Sequence, residues 1–391
     1  SLPSPGNARS DVHEPMIWGG VRIWRGSDGA FLGSDITGPK GSNTEGRFSI
    51  NIENPGTAGF YVEMIPYTTA ARIIKADGSD YSSYTPTFYP SSYPYDIGNW
   101  RPPDTTEYMG AWRIYETIVQ DHFDRGAWDF LVNEGPAYTP PQVTVRFPDS
   151  SGTHYHLGGE IHVDTADYTK ALDVAQHEYG HFVMYQVYSG YWPPNAGGYH
   201  ELNKKSNVNM AWTEGWADSF PLIAQSYGRW NDYAFEWGTG AQANLETPTW
   251  GTPNWDNGDD VEGRVAGTLW DIFDTLNDGY DTYSDGFMNI WDVARAQTDD
   301  TFYQFYQAWT SRGHSSSLFL ACAYQNTIDY GFSPNYVVTF NTNPTSFVGS
   351  AGSITFSGTT YSNGQTGNYA SGDYTATANV PSDYQFVWWE Y

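Results

Sequence analysis

Residues Ala175–Phe182 read AQHEYGHF. On a helix, positions i and i+4 share a face, so His177 and His181 can offer two imidazoles to one ion. Glu178, one step on, is rotated to the side. From there it reaches a water on that ion without being a ligand, which is the mechanical content of an H-E-x-x-H pattern. An ordinary buried helix can carry the same letters, so the surrounding sequence has to decide.

A catalytic zinc centre takes three protein ligands and keeps one position open. The continuation HFVMYQV after His181 offers neither the glycine nor the third histidine of the longer H-E-x-x-H-x-x-G-x-x-H pattern. The third ligand must lie elsewhere. The stretch WTEGWAD, Trp212–Asp218, places Glu214 and Asp218 four apart on a helical pattern. They sit among Trp212, Trp216, Ala217 and Phe220, so burial is expected, and buried carboxylates need partners.

With H-E-x-x-H followed by E-x-x-x-D, the chain resembles the gluzincins, the thermolysin-like branch of zinc metallopeptidases. The resemblance covers roughly residues 105–335. It implies zinc held by His177, His181 and Glu214, Glu178 as general base, and Asp218 as the carboxylate that orients a ligand histidine. It also implies a protein or peptide substrate. The G-x-M-x-N motif of the aminopeptidase branch is absent, which favours an endopeptidase.

An oxyanion donor is also required, and thermolysin-like enzymes use a tyrosine or histidine. The segment DVEGRVAGTLWD, Asp260–Asp271, stands where the family places its histidine-bearing helix, yet offers Glu262 and Arg264. Arg264 either donates to the oxyanion or pairs with Glu262. Tyr199 and His200 are the alternative, carried by Tyr188–Asn209, an insertion that puts Glu214 33 residues after His181.

The predicted strand EIHVD, Glu160–Asp164, precedes the zinc helix. In the family such an edge strand takes extended peptide by β-augmentation. His162 reads as an exposed strand residue. His154 and His156 (THYHL) either share a metal or simply occupy a loop or hairpin. The stretch DGYDTYSDGFMNIWD, Asp278–Asp292, matches an EF-hand loop at Asp281, Asp285, Gly286 and Asp292, but Tyr283 breaks the third position. A calcium loop and an acidic turn are both open readings.

The rest of the chain frames this centre as a multidomain α+β protein. Residues 1–80 show short apolar runs between Gly/Asn/Asp turns: IWGGVRIW (17–24), FSINI (48–52) and GFYVEMI (59–65). They resemble the transthyretin-like or carboxypeptidase-regulatory β-sandwich. Residues 81–104, rich in Tyr, Ser and Pro, read as an extended linker. Residues 105–336 form the catalytic part. Its helical patterns cover 106–132, a zinc helix starting near Asp167, 212–227, 263–276, 286–297, 300–309 and 317–329, with strands at 143–147 and 160–163. Residues 337–391 read as a small, truncated β domain similar to the repeats of microbial surface proteins and enzymes.

The whole chain has 391 residues, 39% hydrophobic and 17% aromatic, enough for packed cores. The 45 Asp and Glu against 18 Lys and Arg give a formal net charge of −27. Such a surface repels phosphate backbones, so nucleic acid is excluded as a partner. No apolar run is long enough to span a bilayer. The single cysteine, Cys322 in LFLACAY, reads as a small core hydrophobe. The start SLPSPGNARSD lacks signal-peptide features, and the chain reads as a trimmed piece of a longer, exported precursor. The expectation is a secreted or cell-surface zinc endopeptidase acting as a monomer. The rival is an inactive zincin scaffold used for surface adhesion.

Overall fold

The structure, a computed structural model, describes residues 17–39, 41–103, 105–119, 126–135, 137–165, 172–226, 234–238, 241–276, 279–281, 284–341, 352–370 and 374–380. The chain divides into two compact units, Ser1–Asp329 and Tyr330–Tyr391.

In the first unit, β1 (Gly20–Arg25), β2 (Phe31–Ile36), β3 (Phe60–Ile65), β4 (Ala71–Ile74) and β5 (Ser83–Tyr84) come first. Sheet order is β2-β1-β3-β5, antiparallel throughout. Val21 and Ile23 point inward at period two, as a half-buried strand requires. Among the described residues of the expected β-sandwich, β1, β2, β3 and β5 form one sheet. Among the described residues, Phe48–Ile52 pairs with no strand, and its residues are exposed or half-buried.

The boundary at residue 80 also differs. β4 leaves the first sheet and pairs in parallel with β6 (Val143–Arg146), reached through α1 (Thr106–Val119) and α2 (Ala127–Glu134). The helical pattern of 106–132 is thus two helices. β7 (His154–His156) and β8 (Glu160–His162) complete the second sheet in the order β4-β6-β8-β7. β8 lies between β6 and β7, so the sheet edge is β7 rather than the Glu160–Asp164 strand expected there. The Tyr/Pro-rich stretch is largely irregular, and Tyr81 is fully buried, its hydroxyl donating to the Phe147 carbonyl at 2.6 Å.

The helices follow: α3 (Leu172–Val187), α4 (Val208–Ser226), the hairpin β9 (Ala234–Gly238) and β10 (Ala241–Asn244), then α5 (Glu262–Phe273), α6 (Gly286–Ala294), α7 (Phe302–Ser311) and α8 (Ser316–Gln325). Asp167, the expected start of the zinc helix, lies outside the described residues. α4 is buried from Met210 to Gln225, the state of a helix apolar on nearly every face. Two glycines allow its close packing. A Cβ on Gly180 would stand 3.2 Å from the Ala217 Cα, and one on Gly215 would stand 2.6 Å from the Val265 Cβ and 2.8 Å from the Glu262 carbonyl. The Trp216 indole donates to the Gly180 carbonyl at 3.0 Å, and Trp212 donates to the Asp299 carbonyl at 3.0 Å. Overpacking such a contact costs about 1–3 kcal/mol. The two motif helices, α3 and α4, are therefore held face to face, with α5 against the far side of α4.

The second unit pairs β11 (Asn335–Phe340) with β14 (Gln365–Ala370), and β12 (Ser353–Phe356) with β13 (Thr359–Tyr361) and β15 (Ala376–Asn379). Its core is aromatic: Phe340 stacks on Tyr361 at 4.2 Å, and the Tyr369 and Tyr361 hydroxyls bond at 2.7 Å.

Candidate active site

α3 and α4 bring the two motifs together. Nε2 of His177 lies 3.2 Å from Glu214 Oε2, and Nε2 of His181 lies 3.0 Å from the same oxygen. All three side chains are buried. Three atoms bound tetrahedrally to one zinc at 2.0–2.1 Å stand about 3.4 Å apart. The donor set, two imidazoles and a carboxylate, also suits that ion, so the residues present fit it.

The surroundings select charge states. Burial works to lower the His177 pKa, but the Asp218 and Glu214 carboxylates outweigh it and hold it well above its ordinary value. Burial works to raise Glu214, but His181 and His177 hold it well below the ordinary carboxylate range. Asp218 Oδ1 stands 2.9 Å from His177 Nδ1, on the ring nitrogen away from Glu214. A carboxylate there fixes the ring's orientation and strengthens the other nitrogen as a ligand. Glu178, next to His177 on α3, is buried as well.

His200 reaches this centre from the insertion. Its Nε2 stands 3.8 Å from Glu214 Oε2, while Nδ1 and Glu262 Oε2 are 2.8 Å apart. The Glu262 carboxylate raises the His200 pKa to about 9 against the opposing effect of burial. Glu262 itself is pushed up by burial.

The other two donors considered from the sequence are placed elsewhere. Arg264 is fully buried, and its guanidinium donates to the Asp256 carbonyl at 3.0 Å and the Pro248 carbonyl at 2.7 Å, over the Trp255 ring. It braces the loop before α5 and does not pair with Glu262, whose partner is His200. Tyr199 is 87% exposed and donates to Glu201 at 2.6 Å. Sequence reading also missed Trp192, whose ring meets the His181 imidazole edge-on at 5.5 Å and Tyr155 of β7 at 6.2 Å. The Trp within a Gly/Pro-rich insertion was the available signal.

Asp281 and Asp285 join no carboxylate trio among the described residues. Asp281 is buried, 3.6 Å from the Cys322 thiol, and Asp285 precedes α6 with its N–H donating to the Ile272 carbonyl. Tyr283 lies outside the described residues. The acidic groups that do gather are Glu246, Asp271 and Asp274, with oxygens within 4.8 Å of one another. Burial and the Glu246 carboxylate push Asp274 up to about 8 from 3.8. Between those values the folded chain holds a proton that the unfolded chain has released, so stability falls as pH rises through this window. Thermal unfolding should show that fall, and Asp274→Asn should flatten it.

Residues 133–327, just short of half the chain, match the family model described as the Mycolysin C-terminal domain. That match supports a thermolysin-like peptidase family at a coarse level. An "Uncharacterized protein" of Archaeoglobus fulgidus is 27% identical over 136 residues, which span 34% of this chain and 36% of that protein. No helix among the described residues is long and apolar enough to cross a membrane.

Proposed function

We propose that this chain is a zinc-dependent endopeptidase of the gluzincin type. The observation that carries the reading is the meeting of His177 and His181 Nε2 on one oxygen of Glu214, at 3.2 and 3.0 Å, from two helices. Zinc bound there would supply a Lewis acid and lower the pKa of a water toward about 7.

The chain's own residues do the rest. His177, His181 and Glu214 would hold the ion, and Asp218, 2.9 Å from His177 Nδ1, orients the His177 ring for it. Glu178 takes the proton of the attacking water and passes it to the leaving nitrogen. His200, held through Nδ1 by Glu262, presents Nε2 on the same side as Glu214. From there it donates to the peptide carbonyl oxygen as charge builds on it. The donor is thus carried by the insertion between the two motifs.

The resemblance and the acidic composition support an enzyme that acts on proteins or peptides outside the cell or at its surface. Purified protein incubated with a peptide library should cleave internal bonds. A zinc chelator should stop the cleavage, and added zinc should restore it. Cleavage that continues unchanged in chelator would remove this reading.

A further inference from the structure

The hairpin β7–β8 carries three histidines that the active site does not use. The antiparallel register pairs His154 with His162, Tyr155 with Ile161 and His156 with Glu160. Side chains alternate faces along a strand. Tyr155 packs toward Phe182 and Tyr185 of α3, and Ile161 is fully buried. His154, His156, His162 and Glu160 therefore share the opposite, outer face. The His154 and His162 rings lie 4.7 Å apart, and the His156 and His162 rings 5.7 Å apart.

The surrounding polar groups prepare these rings as ligands. His162 Nδ1 is 2.9 Å from Asp149 Oδ2 and His154 Nδ1 is 3.1 Å from the Gly152 carbonyl, so each ring's Nε2 is left to coordinate. A carboxylate behind a histidine is the usual support of a metal ligand. Asp149 is held down to about 2 by the Ser151 hydroxyl and N–H, with His162 adding to them, so it stays ionised. Glu160 is neutralised by Arg146, whose Nη2 lies 3.0 Å away, and its Oε2 remains 3.6 Å from His162 Nε2. Three imidazoles on one face suit zinc, copper or nickel rather than calcium or magnesium.

We propose that His154, His156 and His162 form a second transition-metal site on the outer face of this edge hairpin. Their ring nitrogens do not all lie within 4.8 Å of one another, as the ligand atoms of His177, His181 and Glu214 do. The exposed His156 ring closes the set by turning about its side-chain torsions, while His154 and His162 keep their Nδ1 contacts.

The test counts metal. Full-length protein is stripped with a chelator and dialysed against micromolar free zinc, and zinc per chain is measured. The expected result is two equivalents in the unaltered chain and one in H154A/H162A. His177→Ala should also leave one, now at the hairpin. A His156→Ala chain, which loses an exposed ring, should release the second equivalent first as free zinc is lowered. The proposal is overturned if the unaltered chain binds one zinc that H154A/H162A retains, or two that it retains. A single equivalent lost in H154A/H162A and kept in His177→Ala would support the hairpin site and remove the active-site reading instead.

Discussion

Glu178→Gln should cut peptide cleavage by about 10²–10⁴-fold, about 3–5 kcal/mol of transition-state stabilisation, while zinc content stays unchanged. Glutamine keeps the shape and burial of the side chain but cannot take a proton. Glu178 is not among the atoms that meet at Glu214 Oε2, so the ion has no reason to leave. Parallel kinetics and metal analysis on one preparation read both quantities. Full activity in the variant would take Glu178 out of the chemistry. An unaltered protein that never cleaves peptide would instead favour the inactive-scaffold alternative.

Glu214→Leu should be more severe. Its carboxylate is the meeting point of both imidazoles and is buried on α4. Leucine fills similar volume and offers nothing to an ion. Zinc at this centre should fall to background, and with it the whole acceleration, at least about 10⁶-fold for an ordinary enzyme. Circular dichroism should still show the helices, since α4 is held by Trp212, Trp216 and its glycine contacts. A variant that keeps both zinc and cleavage would mean that the third ligand has been misassigned.

The contrast between these residues and the others explains what the sequence could reveal. His177, His181, Glu214 and Asp218 are read from i,i+4 spacing, a local property of helices. Their neighbours Trp212, Trp216 and Phe220 signal burial directly. His200 and Glu262 are 62 residues apart, and nothing local links them; the folded insertion brings the imidazole beside Glu214. Arg264 misled because a guanidinium in a helical pattern reads alike whether it meets substrate or loop carbonyls.

The sheets show the same limit. The antiparallel β1–β3 part follows from alternation, but the parallel pairing of Ala71–Ile74 with Val143–Arg146 spans two helices. It leaves no trace in either strand's pattern. Phe48–Ile52 alternates like a strand, yet among the described residues it meets β2 through the Ser49 N–H bonded to Asp35 at 3.0 Å and through Ile50 and Ile52 against Gly33, with no strand ladder.

Crystals soaked in zinc, with diffraction measured on both sides of the zinc absorption edge, address the metal centre most directly. The predicted result is an anomalous peak about 2.0–2.2 Å from His177 Nε2, His181 Nε2 and a Glu214 oxygen, with His200 Nε2 beside it. A map without a peak there, with the Glu214 carboxylate swung away from both imidazoles, would contradict the account.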